Sequence, residues 1–326
     1  METEHLIPYL IRDLILSAIV SQQDLGICRA ARTNGADSHL PLVSVIIPTH
    51  NRSKLLRVSV QEFYLRRIIT MSLRRILKPI IPGPVRRLGW RGYYYVRDNW
   101  LKTIVGCRTT RKIVALTFDD GPHPEYTPPI LGILAKYQIK ATFFLLGRNV
   151  AAYPETARQV AQAGHAIGNH TSTHPCLADC SPIEVARELF QCQRTIREVI
   201  GVVPEVMRPP FGTQDPASYL TARMMGYAIV NWSASGEDWQ GDPAPVVAER
   251  ILADIQPGGV ILLHDGLEPP PHQTAWRPGD DLFRNRSPTI EALPMIIEPL
   301  QSQGYQFVTL PEMIHAGPLA RQSWFD

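Results

Sequence analysis

Ile113-Val114-Ala115-Leu116-Thr117-Phe118-Asp119-Asp120-Gly121-Pro122 runs a buried strand straight into two adjacent carboxylates and a Gly-Pro turn. The β-branched and aromatic run predicts the strand, and Gly-Pro predicts its end. From Lys112 onward the same kind of unit repeats. Strands are expected at Ile113–Phe118, Ala141–Leu146, Ala166–Asn169, Tyr227–Asn231, Gly259–Leu263 and Gln306–Val308. Helices are expected at Pro128–Tyr137, Pro154–Ala163, Pro182–Ile200, Pro216–Met225, Ala244–Ile255 and Thr289–Gln303. Several carry Pro near the first turn, where its missing N–H has no helical partner to lose. Repeated βα units over about 200 residues favour a parallel α/β barrel or an open doubly wound sheet. Neither Gly-x-Gly-x-x-Gly nor a P-loop occurs, so a nucleotide-binding fold has no support.

The bulk numbers agree with a globular chain. Its 326 residues suit one large domain with an appendage, or two domains. The apolar fraction of 44% supplies a core and argues against disorder. The net charge of +3 is unevenly spread: Arg52 to Lys112 holds 16 Lys or Arg against Glu62 and Asp98, a local +14 that leaves −11 elsewhere. That asymmetry points to an attached basic segment rather than a nucleic-acid-binding body. Cysteines stand at 28, 107, 176, 180 and 192 with no Cys-x-x-Cys, which argues against a disulfide framework or a cysteine zinc site. Free thiols are expected, with Cys176–Cys180 and Cys180–Cys192 as open pairings.

Residues 1–110 read as an N-terminal extension. Residues 42–60, from Leu42 through Pro48-Thr49-His50-Asn51 to Val60, read as a strand, a Pro turn and a helix start, and resemble the opening of a family 2 glycosyltransferase. The likeness covers about 20 residues where such a domain needs on the order of 200, so a fragment is expected, not a working transferase. Residues 64–91 mix Arg66, Arg67, Arg74, Arg75 and Lys78 with Leu and Ile before Pro79, Pro82, Gly83 and Pro84 stop any helix. The pattern is expected to be a solvated helix with a polar face, or else a contact for an anionic membrane surface. Leu6 to Val20 is apolar but interrupted by Arg12 and Asp13 and preceded by acids, so no secretory signal is read and a cytoplasmic or peripheral membrane location is the expectation. The remaining chain divides into a domain at 111–315 and a tail at 316–326.

Five elements carry chemistry. Asp119-Asp120 sits at a strand's C-terminal end, where barrel enzymes place catalytic groups, and two adjacent carboxylates are costly unless a cation or other partners absorb their charge. His170-Thr171-Ser172-Thr173-His174 follows a second strand, and imidazoles four apart can meet one ion if the segment curls as a helical turn. An Asp with two His and an open water position suits zinc, or another first-row ion such as cobalt. In Arg208-Pro209-Pro210-Phe211-Gly212 the prolines fix the backbone that holds Arg208 and the Phe211 N–H. Trp232 through Trp239, with Asp238, offers indole rings for a sugar wall, though such rings are equally at home in a core. Leu262-Leu263-His264-Asp265 ends an apolar strand on a histidine suited to a general acid, or to a plain structural role.

In this order, over about residues 110 to 312, the elements resemble the polysaccharide deacetylase family, the NodB homology domain of carbohydrate esterase family 4. The resemblance implies an irregular (β/α) barrel of about seven strands and hydrolysis of N-acetyl groups on N-acetylglucosamine-containing saccharides. It implies Asp119 as base, Asp120, His170 and His174 as metal ligands, and Arg208 tuning Asp119. The Phe211 N–H would hold the oxyanion, Asp238 would orient the acid His264, and Trp239 and Leu262 would line the acetyl pocket. One position departs: the family's fourth motif usually begins with an acid where this chain has Ser235. Altered loop hydrogen bonding or substrate preference is expected there, not lost chemistry. Hydrolysis of a non-sugar amide and a non-catalytic carbohydrate-binding relic stand as alternatives. The segment Glu268–Ser287, with Pro269, Pro270 and Pro271, is expected to loop beside the site.

Overall fold

A computed structural model describes residues 101–268 and 285–323, all inside the compact unit Pro84–Asp326. The readings of 42–60, 64–91, Cys28 and most of the Glu268–Ser287 loop lie outside the described residues.

The opening strand is longer than its apolar run: β2 spans Ile113–Gly121 and buries every residue. It pairs in parallel with β3 (Thr142–Leu145) on one edge and β8 (Gly259–His264) on the other. Being central, it is covered on both faces, which is why it reads as continuous apolar sequence without alternation. The alternation reappears in what each residue touches. Val114, Leu116 and Phe118 join the cluster beneath the helices, while Ile113 and Ala115 join the cluster inside the curled sheet. Continuing the two-residue period turns Thr117 and Asp119 inward.

The remaining strands are β1 (Thr103–Cys107), β4 (Ala166–Asn169), β5 (Val206–Met207), β6 (Ala228–Ile229), β7 (Ala234–Ser235), β9 (Gln306–Phe307) and β10 (Leu319–Gln322). The sheet order is β10-β1-β8-β2-β3-β4-β5-β6, with β7 on β8 and β9 on β2. A parallel bridge between Ile104 and Val230, just past β6, carries the sheet back to β1. Among the described residues the ring is therefore β1, β8, β2, β3, β4, β5 and β6, an irregular (β/α) barrel. Its irregular member is β1, which runs antiparallel to β8. β1 and β10 fall outside the 111–315 span read as the domain.

The helices are α1 (Thr127–Lys136), α2 (Gly147–Ala152), α3 (Pro154–Gln162), α4 (Pro182–Ile200), α5 (Pro216–Met224), α6 (Ala244–Asp254), α7 (Ser287–Ser302) and α8 (Leu310–His315). Helix α4 starts on a capping box between Ser181 and Glu184 and ends at Gly201, whose φ of 82° suits glycine. Helix α7 continues through Pro294 and Pro299, each of which removes a helical donor. Its buried stripe of Thr289, Ala292, Leu293, Ile296, Ile297 and Leu300 against the sheet outweighs that loss. No helix among the described residues is long and apolar enough to cross a membrane.

Candidate active site

Parallel strands deliver their C-terminal ends to one rim, and the candidate residues gather there. β2 carries Asp119 and Asp120, β4 stops just before His170, β5 stops just before Arg208, and β8 ends on His264. The β2–β8 register sets Asp119 directly beside His264. Left-handed backbone marks the same rim. Asp120, Thr171, His174, Phe211 and Glu237 have φ of 71°, 74°, 62°, 59° and 50°, none of them glycine. Such residues cost on the order of 1–3 kcal/mol each and persist where the surroundings hold them.

Asp120, His170 and His174 each present one ligand atom, and the three atoms lie within 4.8 Å of one another. Both imidazole Nε2 atoms approach Asp120 Oδ1, at 3.3 and 3.2 Å. His170 Nδ1 donates to the Arg208 carbonyl oxygen at 2.8 Å, which fixes the ring and leaves Nε2 as the nitrogen that faces the carboxylate. Asp120 Oδ1 is buried with no hydrogen-bond partner among the described residues. A buried carboxylate oxygen with two imidazole nitrogens turned to it is a place for positive charge, and the donor set of one carboxylate and two imidazoles fits a divalent first-row cation. Burial alone would push the Asp120 carboxyl up. Positive charge on the His174 and His170 imidazoles outweighs it and holds the group well below its usual range, a charge that a bound cation would supply in their place.

Asp119 and Arg208 form the second unit. Arg208 is fully buried and donates to Asp119 Oδ1 at 2.7 Å. Its other donors reach Thr117 Oγ1, the Val230 carbonyl and the Asn231 carbonyl at 2.9, 3.2 and 3.0 Å. Its guanidinium carbon lies 4.3 Å from the centre of the Phe144 ring. Four hydrogen bonds and a stacking face fix the guanidinium, and it in turn fixes the carboxylate.

The third unit is His264 with Asp238. His264 Nδ1 donates to Asp238 Oδ1 at 2.7 Å and its backbone N–H to Oδ2 at 2.9 Å. Burial alone would lower the imidazole, but the Asp238 carboxylate outweighs it and raises His264 above its ordinary value. Burial likewise works against the Asp238 charge, and the imidazole outweighs it, lowering the carboxyl. Trp239 stands edge-on to the His264 ring at 5.1 Å, and Leu262 is buried two residues before it in β8. Phe211 packs edge-on against the His174 ring at 4.5 Å. The departure at Ser235 is a local turn bond: its hydroxyl accepts from the Glu237 N–H at 3.2 Å, and Asp238 still reaches His264.

Four residues with no role in the sequence reading belong to the same construction. Thr289, at the first turn of α7, donates its hydroxyl to Asp238 Oδ2 at 2.7 Å. Arg286 is buried and donates Nε to the Gly266 carbonyl at 3.0 Å. Gly266 must be glycine, because a Cβ there would meet the Asp120 carbonyl oxygen at 2.0 Å. Asp265, whose Oδ2 accepts from Thr127 at 2.6 Å, is pushed up to about 7, chiefly by burial. Its N–H and that of Gly266 both donate to the Asp119 carbonyl. Cys107, Cys176, Cys180 and Cys192 are free thiols.

A polysaccharide deacetylase family model matches residues 107–230. The chain is 37% identical over 201 residues to a chitooligosaccharide deacetylase of Bradyrhizobium sp. (strain ANU 289), covering 61% of this chain and 90% of that protein. It is 38% identical over 200 residues to a peptidoglycan-N-acetylglucosamine deacetylase of Bacillus cereus, covering 61% and 67%. Among solved structures, the Bc1960 peptidoglycan N-acetylglucosamine deacetylase superposes with a TM-score of 0.57 at 35% identity, covering 64% of this chain and 91% of that one.

Proposed function

From the polysaccharide deacetylase family, to which this chain belongs, and from the chemistry of the rim, we propose that the protein hydrolyses N-acetyl groups on N-acetylglucosamine units of an oligo- or polysaccharide, releasing acetate. The observation that carries this reading is the convergence of three units on one rim. They are the Asp120–His170–His174 cluster, the Asp119–Arg208 pair and the His264–Asp238 pair. Asp119 and His264, held separately on either side of the cluster, supply a base and an acid for metal-assisted amide hydrolysis.

Asp120, His170 and His174 would hold the cation, and zinc suits a carboxylate with two imidazoles best. When bound, the ion supplies Lewis-acid polarisation of the acetamide carbonyl. Asp119, oriented by Arg208, accepts the proton of the attacking water at its free oxygen. The Phe211 N–H donates to the carbonyl oxygen as charge develops there. His264 keeps its Nδ1–H on Asp238, so Nε2 delivers the proton to the sugar nitrogen as the carbon–nitrogen bond breaks. The new carbon–oxygen bond and the two proton transfers leave acetate and a free amino sugar. Trp239 and Leu262, beside His264, supply an apolar wall for the acetyl methyl. The similarity to a chitooligosaccharide deacetylase and to peptidoglycan deacetylases supports a β-linked N-acetylglucosamine chain as the substrate class.

Mass spectrometry of N-acetylglucosamine oligomers incubated with the zinc-loaded protein tests this. Loss of acetyl mass from the oligomers, with no turnover of small cyclic amides, is expected. Turnover of cyclic amides alone would contradict the sugar assignment.

A further inference from the structure

We infer that Glu188, on α4 and outside all five motifs, is a positioning residue that holds the linker between His170 and His174 so that both imidazoles can serve one cation. The inference rests on the metal-centre reading above and deepens it.

The case is a backbone account of that linker. The linker is not the helical turn expected from the spacing: bringing two Nε2 atoms to one carboxylate oxygen takes a tighter curl, with Thr171 and His174 in left-handed conformations. Its backbone groups, which run from buried Thr171 through half-buried Ser172 to exposed Thr173, then take partners one by one. The Thr171 and Ser172 carbonyls accept from the N–H groups of Gly147 and Arg148, both at 3.0 Å. These donors belong to the first turn of α2 and have no partner within their own helix. The Thr171 N–H reaches Asn169 Oδ1 at 2.8 Å, and the His174 N–H reaches Thr171 Oγ1 at 3.1 Å. That leaves the adjacent N–H groups of Ser172 and Thr173. Both donate to Glu188 Oε2, at 2.9 and 2.8 Å, and the Thr173 hydroxyl donates to Oε1 at 2.9 Å. One carboxylate from a helix more than a dozen residues downstream thus takes three donors of the metal-binding segment.

The helix itself has no use for that carboxylate. Its N-terminus is capped by Ser181 and Glu184, and its buried stripe is Val185, Leu189, Cys192 and Ile196. Glu188 points off that stripe onto the linker, as groups that orient metal ligands do.

Zinc affinity of the full-length chain, stripped of metal and titrated against a fluorescent zinc chelator, tests the inference. The Asp120→Ala variant defines zinc bound elsewhere. Glu188→Met keeps an aliphatic stem on α4 and removes both acceptors; its zinc affinity is expected to fall about 10–100-fold. Glu188→Gln keeps one oxygen for the two N–H groups and can donate to the Thr173 hydroxyl; it is expected to stay within a few-fold of wild type. Thr173→Val removes one donor and is expected to lose less, in the same direction, and it serves if Glu188→Met does not fold. Wild-type affinity in Glu188→Met, or in Thr173→Val alone if the Met variant does not fold, overturns the inference. An equal loss in Gln and Met also overturns it, by assigning the effect to charge. A wild-type protein with no Asp120-dependent zinc site overturns the metal-centre reading itself, and this inference with it.

Discussion

Replacing Arg208 by Met removes a guanidinium of similar length that has no exposed surface and makes four hydrogen bonds. Asp119 is then a buried carboxylate without its cation. Breaking a buried pair from one side costs about 3–5 kcal/mol. The Val230 and Asn231 carbonyls also lose a donor, at roughly 1 kcal/mol each if water does not reach them. The expected loss is therefore about 5–7 kcal/mol, or a fall in Tm of roughly 10–28 °C for a domain of this size. Denaturant unfolding of the metal-free protein measures it as a shift in midpoint at constant slope. A double variant, Arg208→Met with Asp119→Asn, separates charge from packing. It removes the uncompensated carboxylate but leaves the orphaned carbonyls, so it is expected to recover about 2–3 kcal/mol relative to the sum of the single losses. An Arg208→Met protein within about 1 kcal/mol of wild type refutes the reasoning, and so does strict additivity of the two substitutions.

Other outcomes follow from the same geometry. Asp119→Asn is expected to abolish acetate release while zinc occupancy, read by atomic absorption, stays at the wild-type level. His264→Ala is expected to cut kcat by about 10²–10⁴-fold with zinc likewise retained; normal turnover in either variant contradicts its assigned role. Thr289→Val is expected to lower kcat several-fold with little change in KM, and Thr289→Ser, which keeps the hydroxyl on Asp238, to restore it. The His264–Asp238 pair also carries a pH signature. His264 is raised above its ordinary 6.5, so its stabilising share is fully present below that value and is lost as pH rises through the folded value. Asp238 is lowered from 3.8, so its share is present above 3.8 and is lost as pH falls through its folded value. Asp238→Asn is therefore expected to destabilise the metal-free protein more at about pH 6 than at about pH 9, and equal losses would contradict the pairing.

The site residues that stood out in the sequence are those whose chemistry is unusual for their place. Paired carboxylates after a buried strand and two imidazoles four apart are expensive without a cation, so their spacing carries information. Glu188 and Thr289 carry none of that cost in the sequence. One is a glutamate on an amphipathic helix and the other a threonine at a helix start, both ordinary there. Their roles exist only because α4 and α7 pack where they do. Arg286 had a weak signal, a basic residue in the short polar stretch leading into an apolar helix. The fold shows a similar division. Long buried strands such as β2 and β8 are readable from continuous apolar runs. The two-residue strand β7 is too short for a period, and β10 pairs with β1 from more than 200 residues away. The passage of α7 through two prolines was readable because its apolar spacing persists across them.

The central claim is tested most directly by acetate release from N-acetylglucosamine oligomers, using zinc-loaded wild-type protein beside the Asp120→Ala variant. The account predicts acetate from the wild type and none from the variant, whose cation site has lost its carboxylate. Equal release from both would contradict the assignment of the centre, and no release from a wild-type protein carrying zinc would contradict its assignment to this substrate class.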